Sequence, residues 1–275
     1  MSGLFDLDGR VVVVTGGLGQ LGRQFSLALL AHGARVAVLD RGPDLELDAE
    51  LVRKRFGDQA EDPNLLFVGA DVTDRASLEA ARRHISERWA EPSGLVNNAA
   101  LDSPPDSPAE ETGPFETYPE SSWDKVMEVN AKGPFLCCQV FGGAMAEAGG
   151  GSIVNVASIY GLVSPDQNLY EYRRQRGETF FKPVAYSASK SSLYNLTRYL
   201  ATYWGPKGVR VNTVTFAGVF NNQDAAFLER YCAKVPLGRM ADEGDYNGTI
   251  IFLMSKASGY MTGANLTIDG GFTAW

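Results

Sequence analysis

The chain predicts an α/β fold, a single doubly wound parallel sheet of seven strands with helices on both faces. Three observations carry that expectation. Short β-branched apolar runs alternate with longer amphipathic segments along the whole sequence, and alternation at this spacing builds βαβ units. The apolar runs lack a two-residue period, as strands covered on both faces do. No break in composition divides the 275 residues, so one domain spanning 1–275 is expected.

The elements follow in order. Residues 10–15 form the first strand and 20–32 the first helix, joined by a glycine-rich turn. Residues 35–40 are a second buried strand, and a polar helix covers about 44–56. Residues 65–70 are the third strand; a helix over 74–89 follows, capped by Thr73 or Asp74. Residues 95–98 form the fourth strand. Five prolines, at 104, 105, 108, 114 and 119, mark 101–119 as an exposed loop. A long helix capped by Ser121 or Ser122 runs to about Glu147, and 152–157 is the fifth strand. Residues 159–184 are polar and irregular. A helix over 184–204 is stopped by Gly205 and Pro206, and 209–214 is the sixth strand. Residues 217–240 read as a loop with short helices, 243–255 as a helix and 266–269 as the last strand.

Composition excludes several classes. The net charge is −8, and the one dense basic cluster is Arg173, Arg174 and Arg176, a balance that weighs against nucleic acid. Cys137, Cys138 and Cys232 are too few for a disulfide framework and lack metal-ligand spacing with His32 or His84. Free thiols, a reducing compartment and no metal site are expected. The N-terminus carries acids where a signal peptide carries bases, and the first apolar run is too short to target or span a membrane. These features read as a cytoplasmic protein with no membrane partner. Seven acids and no base between Asp102 and Asp124 read as a solvated face.

The turn after the first strand reads Thr15-Gly16-Gly17-Leu18-Gly19-Gln20-Leu21-Gly22. Glycines between a strand and a helix let backbone N–H groups approach a pyrophosphate, and the helix start adds partial positive charge. Asp40 ends the second strand, where a carboxylate accepts hydrogen bonds from the adenosine ribose and repels a 2′-phosphate. That favours NAD. Arg41 beside it partly offsets the repulsion and leaves NADP open.

Tyr186 and Lys190 lie at i and i+4 on one helix face, so an ammonium sits beside a phenol and favours its ionised form. Tyr203 and Lys207 repeat the spacing, but Gly205 and Pro206 break the helix between them. Ser158 ends the fifth strand, in reach of a substrate oxygen, and Asn130 lies mid-helix, where it can hold a water.

With these residues in place, the sequence resembles the short-chain dehydrogenase/reductase family in its compact, Rossmann-like single-domain form. The resemblance covers nearly the whole chain. It rests on residues 15–22, Asp71 and Val72, the run from Asn97 to Ala100, Asn130, Ser158, Tyr186 with Lys190, and the ending from Thr262 to Gly271. It implies that Gly16, Gly19, Gln20, Leu21 and Gly22 hold the dinucleotide, and that Asp71 and Val72 contact the adenine. It further implies that Asn98, Ala99 and Ala100 line the cofactor cleft and that the Val219 backbone meets the carboxamide. Ser158, Tyr186 and Asn130 would do the chemistry, and Lys190 would also bind the nicotinamide ribose. Family members are usually dimers or tetramers joined through the two long helices, so a homodimer or homotetramer is expected.

Three features depart from the family pattern. Gln20 stands where the compact form has a glycine, with Gly19 one place earlier. Residues 215–218 read Thr-Phe-Ala-Gly where a Pro-Gly pair is usual. Ser158 and Tyr186 lie 28 apart, about twice the common gap. The extra residues, 159–184, form an active-site insertion rich in tyrosine and arginine. Tyr160, Arg173 and Arg174, with Phe220, are candidate substrate contacts for an anionic or heavily hydroxylated molecule. A solvated or subunit-contact loop is the plainer alternative. Residues 219–223, 236–240 and 272–275 are also similar to a bacterial subgroup associated with nonulosonic-acid and surface-sugar pathways. A small polar substrate, sugar or amino-sugar, is thus the leading class. Two alternatives remain: an epimerase or dehydratase that oxidises a sugar nucleotide transiently on bound NAD, and a silent NAD-binding scaffold.

Overall fold

A computed structural model describes residues 3–102 and 110–275. All seven strands are parallel and lie in one sheet of order β3-β2-β1-β4-β5-β6-β7. The strands are β1 (Val11–Thr15), β2 (Arg35–Asp40), β3 (Leu65–Gly69), β4 (Gly94–Asn97), β5 (Gly151–Ser158), β6 (Val209–Phe216) and β7 (Asn265–Ile268). The chain order reverses between β1 and β4, the position at which doubly wound sheets open a ligand crevice beyond their carboxyl ends.

β1 shows why the apolar runs lack a period. Val11 and Val13 pack into one core, Val12 and Val14 into the other, and all four are buried. The first core is covered by α3 (Arg75–Arg88), α4 (residues 120–147) and α7 (Val184–Trp204), through residues such as Leu78, Phe141 and Trp204. The second is covered by α1 (Gln20–Ala31), α2 (Ala49–Phe56) and α9 (Asn247–Met254), through Phe25, Phe56 and Leu253. Burial on this scale is the main stabilising force of such a fold.

Several boundaries differ from the expected ones. α2 starts at Ala49 rather than near 44, because Asp44 and Leu45 adopt φ of 48° and 67°, and Asp48 then caps the helix by accepting from Glu50 and Leu51 N–H. α9 begins at Asn247 instead of Glu243, after turns through 243–246. α4 starts at Glu120 behind Pro119, not at a serine cap. It contains two π turns, Glu128–Lys132 and Cys138–Gly142, which no periodicity in the sequence announces. Of the proline-rich loop, 104, 105 and 108 lie outside the described residues.

The segment 159–184 is more ordered than expected. It carries α5 (Ile159–Leu162), a 3-10 turn at Gln167–Tyr170 and α6 (Glu171–Gln175). Leu169, Tyr170 and Phe180 pack with Tyr231, Val235 and Met240 into a third, smaller apolar cluster that joins the segment to α8 (Ala225–Cys232). Cys137 and Cys138 are buried and Cys232 half-buried, all as free thiols. Among the described residues no helix is long and apolar enough to cross a membrane.

Candidate active site

The turn between β1 and α1 is closed by contact and leaves no room for side chains. A Cβ at Gly22 would stand 2.1 Å from the Gly16 carbonyl oxygen, and one at Gly17 2.4 Å from a Val38 methyl. Gly16 has φ of 62°, and a Cβ there would lie 2.7 Å from the Cα of Ala99. The run after β4 braces this turn from the other side. Asn98 Nδ2 donates to the carbonyls of Thr15 (3.0 Å) and Gly16 (3.1 Å), and Thr15 Oγ1 accepts from the N–H groups of Asn98 and Ala99, each at 3.1 Å. The result is a tight backbone cradle at a helix N-terminus, fit for a pyrophosphate.

Asp40 ends β2 beside this cradle. One carboxylate oxygen accepts from Leu18 N–H at 2.9 Å and the other from Arg41 N–H at 2.8 Å. Each oxygen keeps a lone pair for a ribose hydroxyl. The Arg41 side chain is 87% exposed and reaches toward Asp71, 3.8 Å away. Asp71 is itself set by Thr73, whose N–H and hydroxyl donate to it at 2.9 and 2.7 Å. These residues fit a dinucleotide.

Ser158, Tyr186 and Lys190 meet where β5 ends and α7 begins. The Tyr186 hydroxyl lies near enough to Ser158 for that side chain to lower its pKa, and Ser158 Oγ accepts from Tyr160 N–H at 3.2 Å and so caps α5. Lys190 is buried, donates from Nζ to Val156 O at 2.8 Å and stands 5.8 Å from the Tyr186 ring centre. Burial pulls this ammonium down to about 8, with Asp102 acting in the opposite direction. Burial also raises the Tyr186 phenol, and Asp102 adds to the rise, against the lowering by Ser158. The sequence-based expectation that Lys190 favours the ionised phenol thus meets the opposite balance in the protein alone. In the protein alone the phenol is therefore held in its protonated form at neutral pH.

Asn130 lies in the first π turn of α4. Its Oδ1 accepts from Leu101 N–H at 2.7 Å, and its Nδ2 donates to Leu101 O at 2.8 Å and Ser189 Oγ at 3.1 Å. The side chain is a brace tying the β4 loop and α7 together. Its amide nitrogen donates to protein groups on both sides.

Above the triad opens a cavity of about 680 Å³. Its walls come from the end of β5, the segment 159–184 and the loop 216–224. Tyr160, Tyr172, Asn221, Asn222 and Gln223 supply hydroxyl and amide groups, with Gln20, Leu21, Asn98, Ala100 and Val219 toward the cradle. The Tyr160 hydroxyl is buried beside that of Tyr170 and makes no hydrogen bond of proper geometry.

Comparison with known proteins agrees with this geometry. A family model described as enoyl-(acyl carrier protein) reductase matches residues 19–273. D-threitol dehydrogenase of Mycolicibacterium smegmatis is 33% identical, over 98% of this chain and 95% of the relative. The chain belongs to the short-chain dehydrogenase/reductase family. It is therefore an oxidoreductase that uses a nicotinamide dinucleotide and acts on a small molecule. Among solved short-chain dehydrogenases, one from Leptospira borgpetersenii with bound NAD+ superposes with a TM-score of 0.81 at 32% identity, covering 98% of this chain and 94% of that one. A gluconate 5-dehydrogenase from Burkholderia cenocepacia, in complex with NADP and tartrate, gives 0.82 at 26% identity, covering 99% and 98%.

Within this dehydrogenase/reductase, the residues expected to contact substrate separate. Tyr160 and Arg173 line the cavity. Arg174 does not: it donates to Glu171 (2.9 Å), Phe180 O (3.1 Å) and Gln167 O (2.8 Å), which holds the insertion together. Phe220 is 43% exposed and stands outside the cavity wall, its carbonyl accepting from Gln20 Nε2 at 3.1 Å. Sequence reasoning passed over Asp102, Asp224 and Glu178, which line the cavity. In the sequence Asp102 reads as the first of an acidic run. The signal for it was its place, two residues after Ala100 and opposite a basic insertion.

Proposed function

We propose that this dehydrogenase/reductase interconverts a secondary alcohol and a ketone on a polyhydroxylated carbon chain of the sugar or sugar-alcohol class, with NAD as its preferred dinucleotide. The observation that carries the reading is the opening of the Ser158, Tyr186 and Lys190 site into a cavity whose wall carries hydroxyl and amide side chains beside acids and bases. Such groups match a ligand with several hydroxyls. The name of one relative, a D-threitol dehydrogenase, supports the same class.

The dinucleotide would be held by Gly16, Gly19, Gln20, Leu21 and Gly22, by Asp40, Asp71 and Val72, by Asn98, Ala99 and Ala100, and by Val219, Tyr186 and Lys190. Its nicotinamide supplies the hydride exchange. The chain's own residues handle the proton. Ser158 donates a hydrogen bond to the substrate oxygen, and Tyr186 protonates that oxygen in reduction or accepts its proton in oxidation. Lys190 is charged below about pH 8 and stabilises negative charge on the phenol oxygen. Asn130 holds the β4 loop against α7 so that Tyr186 keeps its position.

The NAD preference rests on Asp40, since Arg41 leans toward Asp71. Fluorescence titration with NADH and NADPH tests it. Wild type should bind NADH at least tenfold more tightly, and Asp40→Ala should lose that preference, about 1–3 kcal/mol for hydrogen bonds to a charged group. Equal binding by wild type would overturn it.

We further take 1–275 as one domain and expect a homodimer or homotetramer. The exposed Phe135 of α4 and Tyr199 and Tyr203 of α7 support joining through the two long helices. Light scattering on the eluted protein decides that point.

A further inference from the structure

Building on the polyhydroxylated-substrate reading above, we propose that this cavity accepts charge-neutral polyols and ketoses and turns away molecules bearing a carboxylate or phosphate, with Asp102 as the specificity-determining residue. The insertion is rich in bases, which from sequence alone suits an anion. The structure closes those bases with acids. An anion site presents an arginine fork or an ammonium with donors open toward the ligand. Here Arg173 holds Glu178 through both Nε and a terminal nitrogen, each 2.6 Å from the same carboxylate oxygen, while its guanidinium lies 4.3 Å from the Phe180 ring centre. Arg176 holds Asp224 at 3.2 Å. Lys182, only 8% exposed, is paired with Asp102. Among the described residues, the one base of the cavity wall not matched to an acid is Lys190, which is buried and donates to Val156 O.

Asp102 matters most because of where it stands. Its Lys182 partner sits 5.1 Å from the Tyr186 ring centre. Its charge acts on Tyr186, and on Tyr160 and Tyr170 deeper in the wall. An anionic group brought to the reacting end meets an ammonium already paired with Asp102, so no open positive charge is there to hold it. The other polar groups there are neutral. Asn221, Asn222 and Gln223 can both donate and accept, and the buried Tyr160 hydroxyl has no hydrogen bond of its own. A substrate hydroxyl pairs with these amides without adding charge.

The test is a matched pair of substrate series with the full chain and NAD+ or NADP+: threitol, arabinitol and galactitol against the aldonates of the same chain length. Wild type should favour the polyols in kcat/KM by at least about tenfold. Asp102→Asn should narrow the ratio roughly two- to fivefold by raising turnover of the acids, because Lys182 then loses this acid. Adding Lys182→Gln to Asp102→Asn should restore the ratio. Asp224→Asn keeps a good helix cap and frees the charge of Arg176; it should narrow the ratio about two- to threefold. A wild-type preference for the acids overturns the proposal. So does a ratio that stays fixed in both aspartate variants, or one that narrows only through lost polyol turnover. Failure of any polyol or ketose to turn over would instead overturn the sugar-class reading, and this one with it.

Discussion

On the cofactor side of the cleft the fit is made by backbone. Gly16, Gly17 and Gly22 let main chain pass where any Cβ would collide, and Asn98 fastens the carbonyls of Thr15 and Gly16 from the neighbouring strand end. On the substrate side the fit is made by side chains. The insertion is joined to its surroundings by the pairs Lys182–Asp102, Arg176–Asp224 and Lys234–Asp166 and by a small apolar cluster. Backbone packing tolerates almost no change, whereas partly exposed ion pairs are worth little each and can be exchanged. The first side therefore fixes a cofactor class and the second can be refitted to new substrates.

The two sides meet at Tyr186, and removing its hydroxyl should have the largest effect. Tyr186→Phe keeps the ring and the start of α7 but deletes the proposed proton carrier. Steady-state kcat should fall by about 10²–10⁴-fold, the range of general acid–base catalysis, with NADH affinity changed less than about twofold. A loss of NADH binding would show that the two sides are not separable.

Next in size is a change confined to the backbone side. Gly22→Ala places a methyl 2.1 Å from the Gly16 carbonyl oxygen and 2.8 Å from the Gly17 Cα, both main chain. The turn must shift, at about 1–3 kcal/mol. Dinucleotide affinity should fall at least tenfold and the melting temperature should drop. Substrate selectivity among the polyols, measured at saturating cofactor, should stay the same.

The same contrast explains what was legible in the sequence. The strands and the cradle follow from apolar runs and glycines whose positions are dictated by steric exclusion, so the seven strands and the turn at 15–22 could be read from one chain, though not the order of the strands in the sheet. The π turns of α4 leave no trace, because a single extra residue in a helical turn does not disturb an apolar stripe. Asp102 and Lys182 are 80 positions apart; nothing local pairs them. Arg173 and Arg174 are adjacent and chemically identical, yet one lines the cavity and the other faces inward to the insertion, a choice set by how α6 packs.

A smaller effect concerns charge at the junction. Burial lowers Lys190 from its ordinary value of 10.5 to about 8. It is protonated below that pH and neutral above it, so the stabilising charge beside Tyr186 is lost as pH rises. In the reductive direction kcat/KM should be level up to about pH 7 and fall about tenfold by pH 9, as expected for loss of one proton. Lys190→Arg keeps its charge throughout. Its profile should lose this limb even though its absolute rate is lower. A limb unmoved in the arginine variant would assign the titration elsewhere.

The smallest expected effect tests whether the insertion is an independent unit. Arg174→Ala deletes hydrogen bonds to Glu171, Phe180 O and Gln167 O, all within 159–184. Net contributions of about 1–3 kcal/mol are at stake for bonds to a charged group. They reside in the third cluster and not in the two cores that flank the sheet. Loss of local structure should therefore show as faster amide exchange or proteolysis within the insertion, with the global melting temperature lowered by less than about 3 °C. KM for the polyol should rise about two- to fivefold, because the walls carrying Tyr160 and Arg173 loosen, and NADH affinity should not move. A large drop in melting temperature or in NADH affinity would mean that the insertion supports the sheet itself. The substrate side could not then be refitted without disturbing the cofactor side.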